Sequence, residues 1–236
     1  ESLQKLSYLT FANCESLTEI TVPEQVTELG IMVFSGCTNL TEVYLNCAIT
    51  ELPIQPFNGC TNVEILTLPD TLTTICDNAF RGMGKLRQIT LPEGLVSIGK
   101  SAFGGCSSLT AVAIPDSVTT VGDSAFLECT ALETLTLGSG LQSIGYRCFE
   151  GCSSLTEVTL PASVTSIGDS AFKNCSALTA IVISGNISQM GESVFSGCKA
   201  LAEVRFEEGV TAIDDELFRD CVSLVHVTLP ESLQTI

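Results

Sequence analysis

Phenylalanine recurs in this sequence at a fixed interval of 23 residues. A self-similar period of about 20 to 50 residues is the signature of a repeat architecture, in which each unit buries its apolar side chains against its neighbours. The period therefore restricts the chain to a stack of ten similar units. The phenylalanines on this interval are Phe11, Phe34, Phe57, Phe80, Phe103, Phe126, Phe149, Phe172, Phe195 and Phe218.

Other apolar positions keep the same period. With phenylalanine as position 0, position +3 is cysteine in nine units and Met83 in the remaining one, and position +6 is leucine or valine in all ten. Positions +9 and +11 are aliphatic in nearly every unit, which predicts a short strand with both side chains pointing inward. Proline follows at +12 in six units. Its missing amide hydrogen suits the end of a strand.

The second half of each unit predicts a turn and a short helix. Positions +15 and +18 are aliphatic, and glycine recurs at +19, where we expect it to permit a backbone turn that a Cβ would oppose. Gly-Asp-Ser-Ala-Phe then follows, as at 122–126 and 168–172. An Asp or Ser before a short apolar pattern is typical of a helix start. The unit therefore predicts an α/β repeat solenoid whose strands stack into one parallel sheet.

One unit carries a specific resemblance to a known family. The string Leu-Pro-x-Ser-Val-Thr-Ser-Ile-Gly-x-x-Ala-Phe-x-x-Cys-x-x-Leu, intact at 160–178, resembles the BspA-like, or Treponema-type, leucine-rich repeat family of bacterial surface antigens. The resemblance covers essentially the whole chain. It implies a leucine-rich-repeat horseshoe of ten 23-residue units with a concave parallel β-sheet and short helical or 3-10 turns on the convex side. It offers no catalytic residues.

The register never slips, so we expect residues 1–236 to form a single leucine-rich-repeat domain. The sequence shows no polar capping unit at either end, which predicts that it is a segment of a larger protein. The segment 46–57 departs most from the pattern, because Asn46 replaces the usual proline and Pro53 the usual glycine. Two interpretations stay open, repeat drift or a functional bulge, and we expect this connection to lack the helix start.

The nine cysteines at +3 are predicted to form a buried, reduced ladder rather than disulfides. Neighbouring Cα atoms about 5 Å apart would allow bridging, but equivalent side chains in stacked units point the same way rather than at each other. No Cys-x-x-Cys pair of the kind found in zinc sites occurs.

Charge and motif content argue against several function classes. A net charge of -17 disfavours nucleic acid and anionic membrane surfaces, and the sequence has no apolar run of about 18 residues, so we expect no membrane insertion by this segment. The common nucleotide-binding, hydrolase and zinc motifs are absent and His226 is the single histidine. We therefore predict no enzyme, no cofactor and no metal site. The acidic run from Asp214 to Asp220 could hold Ca²⁺, but it lacks the usual loop and is better explained as a solvated edge.

The outward strand positions +8 and +10 form the candidate binding surface. Threonine dominates +10, which β-propensity and cross-strand packing explain without any function. Aromatic and arginine side chains are the usual anchors of protein interfaces, so we expect the residues that interrupt this pattern, including Val182, to matter more. The candidate binding residues are Tyr44, Ile65, Arg205, His226, Glu19, Glu42, Glu157 and Glu203.

The resemblance and the surface together predict a non-enzymatic, adhesin-like or recognition module on a bacterial cell surface. It would bind a host or extracellular-matrix protein through the concave sheet. The alternative is a rigid structural spacer in a larger secreted or surface protein. Carbohydrate binding is less favoured, because the chain offers three Tyr and no Trp as stacking platforms. We expect an extracellular or cell-surface location, and the sequence does not determine the oligomeric state.

Overall fold

The chain winds into a parallel β-solenoid. The computed structural model describes residues 3–236. Strands of one turn pair in parallel with those of the next, and the paired residues are 23 apart, as Thr120 and Ser143 are. The sequence period is therefore the length of one turn, and the predicted parallel stacking is confirmed.

Most turns contribute two strands, where the sequence predicted one. Strands of three or four residues start at position +8, and strands of two residues occupy +17 and +18. The long strands are β2 (Glu19–Val22), β4 (Glu42–Leu45), β6 (Ile65–Thr67), β9 (Ala111–Ala113), β11 (Thr134–Thr136), β14 (Ala180–Ile183), β16 (Glu203–Phe206) and β17 (His226–Thr228). The short strands are β1 (Lys5–Leu6), β3 (Glu28–Leu29), β5 (Glu51–Leu52), β7 (Thr74–Ile75), β8 (Ser97–Ile98), β10 (Thr120–Val121), β12 (Ser143–Ile144), β13 (Ser166–Ile167) and β15 (Gln189–Met190).

The two kinds of strand differ in continuity. Short strands β5 to β15 join into one seven-stranded sheet, and β1 pairs with β3 separately. The break between β3 and β5 falls at Pro53. In other turns the residue at this position donates its N–H to the carbonyl one turn back, as Gly30 does to Leu6 at 2.6 Å and Cys76 to Leu52 at 3.0 Å. Pro53 has no N–H to offer Leu29. The departure noted at 46–57 therefore interrupts this sheet.

The long strands form three separate groups, β2-β4-β6, β9-β11 and β14-β16-β17, so the prediction that they stack into one sheet is wrong. In two of the groups, a pair of strands is matched over four residues: β2 with β4, and β14 with β16. In both pairs, the strand that comes later in the chain is followed by a residue other than proline at +12. The Asn46 N–H donates to the Val22 carbonyl at 3.1 Å, and the Glu207 N–H donates to Ile183 at 2.9 Å. Proline at +12 removes this bond, which is the strand-ending role predicted for it.

The predicted helical turns are not confirmed, since none of residues 3–236 is helical. In the fifth unit Ser101 and Gly105 both adopt left-handed backbone angles, at φ 51° and 75°, and a run of right-handed residues cannot pass through them. The N–H of Phe103 instead donates to Ala125 of the next turn at 2.7 Å. The Asp side chains expected to start helices serve the same stacking, because the Asp123 carboxylate accepts the Tyr146 N–H at 3.0 Å.

The ten phenylalanine rings form a continuous stack through the core. Neighbouring ring centroids are 4.9 to 6.4 Å apart, and the middle eight rings are fully buried. The aliphatic side chains predicted to point inward surround this stack in one apolar cluster that extends from Leu6 to Cys221. Since each ring is covered by rings of adjacent turns, no turn has a core of its own.

Glycine at +19 is favoured by close approach of the turns rather than by a turn conformation. A Cβ on Gly122 would lie 2.8 Å from the Gly99 carbonyl carbon and from the Lys100 nitrogen, both backbone atoms of the preceding turn. The φ of Gly122 is not in the left-handed region, so the expectation of a special backbone turn is wrong at this position. The glycines instead let consecutive turns approach each other closely.

We expect Gly122→Ala to lower the free energy of unfolding by about 1–3 kcal/mol, because overpacking against backbone can only be relieved by moving a turn. Gly104→Ala is the matched control. Its Cβ would meet its nearest atom at an ordinary 3.5 Å, and its φ is not left-handed. Urea denaturation of both variants measures the difference. Equal losses would show that close approach is not the reason for glycine here.

A column of thiols lies beside the phenylalanine stack. Eight cysteines donate S–H to the carbonyl oxygen of the phenylalanine one turn back, at 3.1 to 3.3 Å. All twelve cysteines are free thiols, and the prediction of burial is wrong for Cys14, which is exposed. The eight donors are Cys37, Cys60, Cys106, Cys129, Cys152, Cys175, Cys198 and Cys221.

Alkylation at about pH 8 should modify Cys14 in the native protein and spare the buried column, because the thiolate is the reactive form. Burial raises the pKa of Cys60, Cys106 and Cys198 to about 12. Mass spectrometry after iodoacetamide treatment locates the adducts. Titration in denaturant without reductant should then find most of the twelve thiols free, and recovery of only a few would contradict the reduced ladder.

Candidate protein-binding surface

The first group of predicted residues meets on β2, β4 and β6. Their pairing places Glu19, Glu42 and Ile65 side by side at position +8, with Tyr44 in the adjacent row. The Tyr44 hydroxyl donates to the Glu42 carboxylate at 2.6 Å. This hydrogen bond, with partial desolvation and the charges of Glu42 and Glu19, raises the pKa of Tyr44. The result is an acidic patch with an oriented phenol and the exposed Ile65 beside it.

The second group lies on β14, β16 and β17. Pairing places Glu203 beside His226 in one row, and Val182 beside Arg205 in the other. The Arg205 guanidinium pairs with Glu207 at 3.0 Å and stays largely exposed. This patch therefore presents both charge signs together with an exposed apolar side chain.

Glu157 lies on a segment that pairs with neither neighbour. Residues 156–160, which we call the strand-free segment, occupy the long-strand position of their turn without forming a strand. Thr156 still accepts the Thr179 N–H at 3.1 Å, but within residues 3–236 the N–H groups of 157–160 have no backbone partner. Unpaired N–H and C=O groups at a sheet edge are free to bond an incoming chain.

Two clefts border the strand-free segment. One, of about 430 Å³, lies between it and β11. The other, of about 550 Å³, lies toward β14 and is lined by Glu157, Thr159, Val182, Arg205 and Glu207 among others. The larger cleft therefore brings two predicted residues, Glu157 and Arg205, to one opening that also offers unpaired backbone.

The acidic cluster near the C-terminal end is held by ion pairing. The Glu216 carboxylate accepts hydrogen bonds from Arg219 at 2.9 Å and from Ser193 at 3.2 Å. The bond and charge of Arg219 lower the pKa of Glu216. Over residues 3–236, no group of three or more His, Cys, Asp or Glu side chains is arranged to hold a metal ion.

The eight predicted residues thus fall into two patches rather than one. Tyr44 and Arg205 lie in different strand groups, seven turns apart. The sequence did not reveal the clefts, nor that Thr159 and Glu207 line the larger one. Residues 155–164 follow the repeat pattern closely, so nothing in the sequence indicates that this segment fails to pair with its neighbours.

A family assignment follows from comparison of the sequence with known families. The profile described as "BspA type Leucine rich repeat region" matches in overlapping segments, 4–133, 50–176 and 121–236, which together span nearly the whole chain. The chain belongs to the BspA-type leucine-rich repeat family. The family match therefore confirms the predicted resemblance. A separate comparison with curated proteins found no match.

Solved structures of other bacterial leucine-rich repeat proteins share the fold. A leucine-rich repeat protein from Bacteroides ovatus is 22% identical, with a TM-score of 0.72 over 99% of this chain and 78% of that one. A leucine rich cell surface protein from Faecalibacterium prausnitzii is 24% identical, with a TM-score of 0.65 over 98% and 72%. The leucine-rich repeat protein of T. pallidum is 27% identical, with a TM-score of 0.53 over 84% and 72%.

The family narrows the kind of activity to expect. Solenoids of stacked repeats present extended binding surfaces, and the leucine-rich-repeat solenoid is typically a non-enzymatic scaffold for protein interaction. In the described part of the chain, no helix has the length and apolar character needed to cross a bilayer.

Proposed function

We propose that this chain is a non-enzymatic recognition module of a bacterial surface or secreted protein. It binds a partner protein, of host or extracellular-matrix type, through the outward face of the long strands. The observation that carries the proposal is the 550 Å³ cleft beside the strand-free segment, where Arg205 and Glu157 meet unpaired backbone. The surface location is supported by the BspA-type family and by the F. prausnitzii relative, which is described as a cell surface protein.

The rigidity of the long-strand face favours protein recognition. Outward side chains repeat at about 4.8 Å per turn on a backbone fixed by stacking, so little conformational entropy is lost on binding. Arg205 supplies an anchor of the type common at interface centres. The net charge of -17 favours a basic patch on the partner and an association that weakens with salt.

The separation of the two patches sets the size of the partner. Tyr44 and Arg205 are seven turns apart, or about 34 Å at the usual strand spacing. A ligand that touches both is a folded protein or an extended chain, since small molecules occupy single pockets. We further propose that residues 1–236 act as one domain of a larger protein, with the face curved as the family resemblance implies.

The proposal is tested by a binding screen against extracellular-matrix and bacterial surface proteins. For any protein that binds, Tyr44→Ala and Arg205→Ala should weaken binding at least tenfold, as expected for interface anchors. The matched controls are Ser108→Arg and Ser154→Arg, which alter the turn side. If the control variants abolish binding while both sheet variants leave it intact, the long-strand face is not the site. If nothing binds, the rigid-spacer function is favoured instead.

A further inference from the structure

A second surface lies away from the long strands, at position -3 of each unit. In the first three units this position carries exposed apolar side chains, Tyr8, Ile31 and Ile54. In six of the remaining seven it carries a charged residue, and the exception is Tyr146. The charged residues are Asp77, Lys100, Asp123, Asp169, Glu192 and Asp215.

The repeat supplies its own control for this difference. Charged side chains occupy six equivalent positions of the same repeat, so the fold does not need an apolar residue there. Ile31 and Ile54 remain 45% and 42% exposed although turns lie on both sides of them, and Tyr8 is 64% exposed. We call these three side chains the apolar column. Grouped exposed apolar side chains mark interaction sites more often than scattered ones do.

The apolar column continues into a cleft. Ile54 also lines an opening of about 360 Å³ together with Cys76, Asp77 and Ile98. The surface therefore extends over about four turns, in line with the solenoid axis.

Carboxylates border the column. Glu28 and Glu51 precede Ile31 and Ile54 by three residues on the short strands, and Asp77 takes the next -3 position. Glu51 lies close enough to the Cys76 thiol to help raise the pKa of that thiol to about 11, after the larger effect of burial. The Lys5 ammonium pairs with the Glu28 carboxylate. The Glu51 and Asp77 carboxylates have no ion pair in the described chain.

The spacing of the column matches an α-helix. Its side chains repeat at about 4.8 Å per turn of the solenoid. Residues at i, i+3 or i+4, and i+7 of a helix lie about 4.5 to 6 Å apart along the helix axis. Alternate residues of an extended strand are about 6.7 Å apart, so a strand laid along the axis would lose register by the third side chain.

We propose that the apolar column binds an amphipathic helix of a partner protein, with apolar side chains at i, i+3 or i+4 and i+7 and with Lys or Arg at their flanks. The flanking cations face Glu51 and Asp77, which have no ion pair in the described chain. A second copy of this chain is a poor occupant, because each copy carries a net charge of -17. The inference does not rest on the function of the long-strand face, and a failed partner screen leaves it intact.

The test uses a fluorescein-labelled synthetic peptide of about four helical turns, with Leu at the stated spacing and Lys and Arg on the flanks. We expect saturable binding by fluorescence anisotropy, and at least tenfold weaker binding to the Ile31→Ser, Ile54→Ser double variant. Tyr146→Ser is the matched control, since Tyr146 is 48% exposed at the same repeat position, and it should change affinity less than twofold. A scrambled peptide of the same composition should bind at least tenfold more weakly.

Three outcomes overturn the proposal. Equal binding of the scrambled and the patterned peptide would show charge attraction alone. An equal loss of peptide affinity in Tyr146→Ser would show that the apolar column is not the binding site. Self-association of the wild type that disappears in the double variant, seen by sedimentation, would make the column a contact between copies. Should the double variant fail to fold, Glu51→Gln tests the same surface and should weaken binding severalfold.

Discussion

Raising the pH above about 9 should unfold this protein steeply. Seven buried thiols have a pKa raised far above the ordinary value of 9.0, chiefly by burial. Between 9.0 and the folded-state pKa the unfolded chain loses protons that the folded chain keeps, so stability present below pH 9 is lost as the pH rises. The seven are Cys60, Cys106, Cys129, Cys148, Cys152, Cys175 and Cys198.

The expected slope is large. Each thiol lowers the free energy of unfolding by about 1.4 kcal/mol per pH unit in this range, or about 10 kcal/mol per unit together. Typical domains have about 5–15 kcal/mol in total, so the protein should be unfolded by about pH 11. Urea denaturation at stepped pH, with reductant present, measures the slope.

Serine replacements provide the control for the alkaline transition. Cys106→Ser, Cys129→Ser and Cys152→Ser together keep a donor for the phenylalanine carbonyls, and the serine hydroxyl does not titrate in this range. The slope should fall by about 4 kcal/mol per pH unit, since three of the seven thiols are gone. An unchanged slope would show that other groups drive the transition, because those groups are the same in both proteins.

Phe126→Ala should cost about 3–5 kcal/mol of unfolding free energy, as truncation of a buried aromatic side chain usually does. Its ring is fully buried between Phe103 at 4.9 Å and Phe149 at 5.3 Å, so the cavity opens in the middle of the stack. The same change weakens the coupling between the two halves of the solenoid. Urea denaturation should therefore show a lower midpoint and a smaller m-value or a second transition.

Phe11→Ala is the matched comparison for Phe126→Ala. Phe11 is only partly buried and has one ring neighbour, Phe34 at 5.6 Å. Its loss should cost about half as much or less, because less area leaves water and terminal turns open more easily. Equal costs at the two positions would contradict a stability that is distributed along the stack.

The core of this fold could be predicted because its residues repeat in register. Phe126 and Cys129 occupy the same offsets as their equivalents in other turns, so their burial followed from the period alone. The short strands were missed, since β10 is only Thr120–Val121 and its bonds go to residues 23 positions away. Local patterns such as the Ser and Asp before Phe126 indicated a helix, but hydrogen bonds to the next turn hold that backbone instead.

The candidate site was predictable only as a set of outward positions. The long-strand period placed Tyr44 beside Glu42 and Arg205 beside Val182, which the pairing confirms. It could not show that 157–160 leave their sheet, because Glu157 and Thr159 sit in an ordinary repeat sequence. A sheet continues from turn to turn only where backbone hydrogen bonds join neighbouring turns. The side chains of one turn do not determine whether those hydrogen bonds form.

Hydrogen exchange of the complex with a protein found in the binding screen tests the proposed function most directly. In the free protein the amides of 157–160 should exchange faster than those of 42–44, because they have no backbone partner within residues 3–236 whereas β4 pairs on both sides. Binding at the long-strand face should slow exchange at 157–160 and at 203–206. Protection confined to the turns at 100–105 and 124–128, with 157–160 unchanged, would contradict the proposal.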